Sequence, residues 1–396
     1  MPRRLSPIAI QRRVTITGMM MLIIVASLCA RAAHADNITA QATGTENLSW
    51  ASNPLMAISG AQALWGSTTS PELLLKAATS KSTASLDTRL DENVFNQSAY
   101  NSSDIHATAQ IGTANQHWNV QLQQHTDYDT TRTSELTTYG QSALVARRTG
   151  LSLAPQISYM PTTVDSLILP ATAAVSTYDR NNFTNYENFD LAPTYKHQFN
   201  ARHTGVLLID AQRYQSLRGP HNSVDSLGPS AGWEMLLSPR FTVNASAGAQ
   251  TSRQFQSGAS NVPWKWQSTF NAGLAFQGLQ DTINATASRA QVPYGNGTEA
   301  LQTSLVASES HVLTKLFSAN LSGTYLNATY QTDTSGSLKS EIIGKGGITY
   351  HATDHLDLTT SYQYRGETLT QNSAKIHDNS GMIQLVYKPK QWTFTP

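Results

Sequence analysis

The residue types that do chemistry are thinly spread in this chain. Eleven histidines are present and only one cysteine, Cys29. No Cys/His cluster occurs, and the one His-x-x-x-His spacing, His351–His355, runs across the short turn expected near residue 354 rather than along a helix, so it does not turn two ligands to one side. The sequence therefore points to no metal and no cofactor. Nucleophilic catalysis needs a Ser, His and acid brought to one rim, and nothing in the sequence isolates such a set. Asp210 and His197 read as strand-end polar residues near lipid-facing registers. Asp127, Asp129 and Glu135 lack EF-hand spacing and read as solvated loop acids. Tyr294-Gly295-Asn296-Gly297 is a loop turn, because no strand–helix unit surrounds it. No catalytic residue is expected.

The remaining charges suit selection rather than bond making. His106, Lys196, Glu234, Lys265, Lys345, Asp357 and Arg365 fall on the polar registers of alternating segments, and the pair Arg147-Arg148 falls beside a long loop. Gathered round one lumen they would be mixed in sign, so strong ion selectivity is not expected. Arg147 and Arg148 would stand at an outer mouth, within reach of an anionic sugar polymer. Such a role requires elements that turn one polar face inward.

Those elements are legible in Phe317–Tyr325 (FSANLSGTY), where Phe317, Ala319, Leu321, Gly323 and Tyr325 alternate with Ser318, Asn320, Ser322 and Thr324. A period of two is the signature of a strand with different surroundings on its two faces. The pattern returns in Phe241–Gln250, Trp266–Phe276 and Leu356–Tyr364, and from about residue 81 it fills the chain. Short turns are expected near residues 115, 163, 201, 239, 279, 314 and 354. Longer polar connections are expected over 92–103, 128–148, 179–187, 215–228, 253–263, 292–298, 331–339 and 368–378. Seven turns and eight loops require sixteen strands, with the loops segregated by length to one end. That asymmetry, with small apolar positions and aromatics near strand ends, predicts an all-β, up-and-down antiparallel transmembrane barrel over residues 81–396. In it Leu321 faces lipid and Ser322 the lumen.

Residues 36–80 look different. Pro54–Trp65 and Pro71–Ala78 read as two short helical pieces, the second with Ser70 as N-cap and proline in its first turn. They predict a periplasmic leader or a plug in the lumen.

Residues 1–35 carry Arg3, Arg4, Arg12 and Arg13, an apolar run and Ala33-His34-Ala35 before Asp36, the layout of a secretory signal peptide. Loss of its five arginines turns a formal +1 into 22 basic against 26 acidic residues. Such a balance gives no reason for a nucleic-acid partner. Cys29 would leave with the signal, so no disulfide framework is expected. Export without a spanning helix leaves soluble periplasmic proteins and outer-membrane barrels, and loops segregated by length favour the Gram-negative outer membrane, in contact with lipid, lipopolysaccharide and the barrel-assembly machinery.

Two stretches go beyond pattern. Leu90–Phe95 (LDENVF) with Ser103-Asp104, and Tyr128–Tyr159 with Asp129, Ser134-Glu135-Leu136, Arg147-Arg148 and Leu151–Tyr159, resemble the beta-barrel porin family of exopolysaccharide and PEP-CTERM/exosortase gene neighbourhoods. The resemblance implies a conduit for polysaccharide or small solutes, working with polysaccharide-export components. One departure is the tail: Lys388–Pro396 follows Tyr387, so the aromatic end of the last strand is displaced or is supplied by Phe394. A non-conducting barrel plugged by 36–80 and a lipid-modifying enzyme are the alternatives.

Overall fold

The computed structural model describes residues 37–131, 146–180, 183–217, 222–256, 264–293, 299–330, 338–369 and 374–394. The signal segment, Ser134-Glu135-Leu136 and Tyr294–Gly297 lie outside them. Nearly all described residues are strand, in a single twenty-segment antiparallel sheet. In chain order the segments are β1 (Asn37–Ala51), β2 (Leu64–Ala78), β3 (Ser82–Phe95), β4 (Ser102–Ala114), β5 (Trp118–Thr130), β6 (Arg147–Tyr159), β7 (Asp165–Tyr178), β8 (Tyr186–Leu191), β9 (Thr194–Asn200) and β10 (His203–Ser216). They continue with β11 (Asn222–Ser238), β12 (Phe241–Gln256), β13 (Lys265–Gln277), β14 (Asp281–Pro293), β15 (Glu299–Val312), β16 (Phe317–Tyr330), β17 (Leu338–Thr353), β18 (Leu356–Leu369), β19 (Lys375–Tyr387) and β20 (Trp392–Phe394).

Two of these segments are halves of one stave. β8 and β9 both lie between β7 and β10 and are separated at Ala192-Pro193, where proline has no N–H for the ladder. β20 likewise continues β19, pairing Trp392 with Ala40 and Phe394 with Ile38 below the β1–β19 ladder. Because β1 pairs with β2 on one side and with β19 and β20 on the other, the sheet closes into a barrel of eighteen staves. Closure removes the unpaired edges that an open sheet would present.

The expected sixteen staves become eighteen because residues 37–51 and 64–78 are β1 and β2, joined along fifteen register pairs from Asn37–Ala78 to Ala51–Leu64. They are wall, neither leader nor plug, and the helical reading of Pro71–Ala78 fails. Leu73 and Leu75 are exposed on the outer face, while Leu74 points the other way opposite Gln41 and Asp87. Three consecutive leucines hide the alternation, and Ser70-Pro71 imitates a helix start.

All seven expected turns lie between staves, with an eighth at 79–81. The other end carries the longer connections. One of them, residues 52–63, folds back on the mouth: Met56 is fully buried against Leu369 and Ile376, and Asp378 accepts from the Asn53 backbone at 2.6 Å.

Stacked pairs Trp118–Tyr159 and Phe317–Tyr350 mark the turn end of the wall, with ring centroids 4.3 and 5.0 Å apart. Large apolar side chains such as Leu48, Leu305, Leu321 and Ile348 stand exposed on the outer face. No helix among the described residues is long and apolar enough to cross a membrane.

Candidate functional site

The two faces are told apart by what they carry: Leu305, Leu321 and Ile348 stand exposed on one, and polar and charged side chains meet on the other. Lys196 of β9 reaches Glu234 of β11 at 2.6 Å, and Gln250 of β12 donates to Asp210 of β10 at 3.4 Å. Opposed residues of an antiparallel ladder share a face. Following the registers round the closed sheet therefore assigns every stave. Asp210, opposite Gly228, faces inward, contrary to the lipid-facing expectation, while His197 faces outward and takes Asp165 at 2.8 Å.

His106, Lys196, Glu234, Lys265, Lys345, Asp357 and Arg365 all stand on this inner register, but not as one ring of solvated charge. Lys196 and Glu234 neutralise each other. Arg365 is buried, with one nitrogen 2.5 Å from Glu367 and 3.2 Å from Glu341. Asp357 sits between His351 at 2.7 Å and Lys388 at 3.3 Å. Lys265 and Lys345 are exposed, and no carboxylate pairs with either among the described residues.

His106 belongs to a continuous network on β3 to β6. Arg89 donates to Asp91 at 3.2 Å, and His106 bridges Asp91 at 3.3 Å and Asp127 at 2.7 Å. His125 approaches Asp127 at 2.9 Å while its other nitrogen meets Thr108 at 2.8 Å. Arg148 spans Asp127 at 3.2 Å and Asp129 at 2.8 Å, and Arg147 reaches Asp104 at 2.8 Å. Asp104 also takes the Asn93 amide at 3.1 Å. Arg147 and Arg148 are thus tied to acids of the wall. Asp127 and Asp129 are strand residues, not loop ligands.

Ligand atoms of His106, Asp127 and Asp129 lie within 4.8 Å of one another, close enough for a divalent cation. Both nitrogens of His106 are engaged by carboxylates, however, and the Arg148 guanidinium holds Asp127 and Asp129 together. Those contacts make it an ion-pair cluster rather than a metal centre. The signal for this wall was present as period-two spacing in Asp87-x-Arg89-x-Asp91-x-Asn93 and His125-x-Asp127-x-Asp129.

A second grouping was not foreseen. Ser318 lies 3.2 Å from Nε2 of His351, whose Nδ1 is 2.7 Å from Asp357, so a serine, histidine and acid do meet inside the barrel. Attack on an ester also needs donors for the oxyanion. Ser318 is paired with Val312 on one side and Thr349 on the other, within ladders that engage strand N–H groups. The trio has the contacts of a wall network without that further part.

The opposite wall is different in kind. From β12 to β16 the inward side chains are Ser, Thr, Asn and Gln with small or aliphatic residues. Lys265 is their one charge among the described residues. A depression of about 370 Å³ runs from this wall across the inner face to β19, lined by Asn284, Ser308, Asn320, Lys345, Thr359 and Gln384 among others.

An eighteen-stave closed antiparallel barrel with a polar inner face and an apolar outer face defines the class. No protein-family model matches the chain and no curated protein matches it in sequence, so the porin resemblance stays with the residues quoted for it. Among solved structures, OccAB2 of Acinetobacter baumannii is similar over 90% of this chain and 99% of its own, at 12% identity and TM-score 0.50. OpdQ of Pseudomonas aeruginosa is similar over 89% and 97%, at 10% and 0.48. The FrpB iron transporter of Neisseria meningitidis is similar over 84% of this chain but 63% of its own, at 9% and 0.47. At such identities the likeness to OccAB2 is one of fold.

Proposed function

We propose that this chain is a porin-like channel of the Gram-negative outer membrane, exported by the signal segment at residues 1–35. It passes polar solutes, polysaccharide or smaller molecules, and takes no part in bond making. The observation that carries this reading is the closed wall whose outer face exposes Leu48, Leu305, Leu321 and Ile348 while inward Thr282, Asn284, Asn320 and Lys345 remain open to solvent. Eighteen staves are in the range that leaves an aqueous lumen. Its partners are outer-membrane lipid, lipopolysaccharide, the assembly machinery and, from the resemblance, polysaccharide-export components. A plug made of residues 36–80 is withdrawn, since 37–51 and 64–78 build the wall.

Purified, heat-modifiable protein is expected to give discrete conductance steps in planar bilayers. Folded protein that leaves bilayers electrically silent overturns the channel.

A further inference from the structure

The two walls stand opposite one another. Counting β8 and β9 as one stave, β4 is the fourth and β14 the thirteenth, nine of eighteen apart, so the ion-paired wall centred on β4 faces the wall centred on β14, whose one inward charge among the described residues is Lys265. The walls also differ in what they leave available. On the first, Asp91, His106, Asp127, Arg148 and Asp129 engage each other. On the second, Asn284, Ser308, Ser310, Asn320, Ser322 and Thr324 make no side-chain hydrogen bond to any other described residue.

We propose that the inner face of β14, β15 and β16 is a binding track for uncharged polyhydroxylated solutes of the oligosaccharide class. This rests on the channel reading and names its substrate.

Chemistry and spacing both support it. Hydroxyl and carboxamide groups donate and accept, as sugar hydroxyls do, so a solute leaving water can replace its hydrogen bonds without bringing a counter-charge. Ser308 stands directly opposite Ser322 and Asn284, and Ser310 opposite Asn320. Such groups recur at about 4.8 Å between staves and roughly 6.7 Å along one. A lattice of this kind lets a solute exchange partners stepwise. Binding that is weak and repeated is what conduction requires. The depression that takes in the track places its single cation, Lys345, opposite Ser322 and Gln363. An ammonium group donates to sugar hydroxyls as well as to anions.

The test is current block in planar bilayers by maltohexaose, with a polyethylene glycol of equal hydrodynamic size and an oligogalacturonate as comparisons. Maltohexaose is expected to produce concentration-dependent blocking events at millimolar levels that the glycol does not. Removing three hydrogen-bonding side chains together, Ser308→Ala, Asn320→Ala and Ser322→Ala, is expected to raise the half-blocking concentration at least ten-fold, each being worth roughly a factor of two to ten. Gln110→Ala on the facing wall is expected to leave block unchanged. Equal block by sugar and glycol in the unaltered protein overturns the track even if the triple variant does not fold. So does block confined to the oligogalacturonate and lost in Lys345→Met. A conducting pore that sugar never blocks defeats the track alone, whereas a silent bilayer defeats the channel and the track together.

Discussion

Leu321 and Ser322 are neighbours with opposite surroundings, and the registers refine what substitution at each should do. Leu321 is 61% exposed on the outer face, yet its ladder partner on β15 is Glu309. An arginine at 321 would meet that carboxylate. Leu305, near the middle of β15, has Ala287 and Tyr325 as outward partners and no acid opposite it. Leu305→Arg is therefore expected to cost about 2–4 kcal/mol of folding free energy in lipid, as for a cation at the bilayer midplane. Leu321→Arg should cost less, and Ser322→Arg should assemble normally while lowering conductance. Urea titration of bilayer-folded protein separates them, and equal costs at all three positions contradict the assigned faces. Arg365 gives a second residue-scale test. With Glu341 and Glu367 side chains 2% and 0% exposed beside it, Arg365→Gln strands two buried carboxylates. Removing one member of a buried ion pair costs about 3–5 kcal/mol. Arg365→Met combined with Glu341→Gln and Glu367→Gln should recover most of that in the same titration. A stable single variant would show the cluster to be hydrated.

At the scale of elements, β1 and β2 decide whether there is a barrel. Deletion of residues 36–80, which would unplug a lumen if they formed a plug, removes two staves and the closing ladder Gly44–Tyr387 to Ala51–Ser380 instead. It is expected to abolish the heat-modifiable band on gels, and a folded, more conductive product would contradict the closure. The difference between expectation and structure has a physical source. Period-two alternation reports a strand only where its two faces differ in polarity. In β16 they do, and the stave was legible from Phe317 to Tyr325. In β2 the inward Leu74 lies between outward Leu73 and Leu75, and in β1 outward Ala40, Ala42, Gly44 and Glu46 are too small or too polar to contrast with inward threonines. Turns were legible throughout because they are short and their neighbours strongly patterned. The ion-paired wall was half legible: its acids and bases recur at period two, but pairing of Arg148 with Asp127 and Asp129, or of Arg147 with Asp104, depends on registers between staves. The residues that carry the porin resemblance, Asp91, Asn93, Asp104, Asp129, Arg147 and Arg148, are members of this network. Their presence at these positions thus has a structural reason that needs no ligand.

For the whole molecule, the sign of the lumen follows from which inward charges are cancelled. Arg89, Arg148, Arg365 and Lys196 are each held by a carboxylate, so they contribute little field beyond their own partners. The acids are cancelled less completely. Glu341 and Glu367 share the one guanidinium of Arg365, and Asp378 is met by the Ser52 hydroxyl and the Asn53 backbone. Asp190 and Asp210 stand on adjoining staves with no cation paired to either among the described residues, Asp210 having only the Gln250 amide. Lys76, Lys265 and Lys345 offset part of this excess. The wall as a whole remains negative, which sharpens the expectation of mixed charge into one of weak cation preference. Reversal potentials in a KCl gradient around 0.1 M should favour potassium over chloride by a few-fold. The preference should fade toward 1 M, as the screening length shortens from about 10 Å to about 3 Å. Asp190→Asn with Asp210→Asn should bring the pore close to non-selective without changing block by a neutral sugar, because neither residue belongs to the β14–β16 wall. A preference for chloride in the unaltered protein would mean that the unpaired lysines, not these acids, set the field in the lumen.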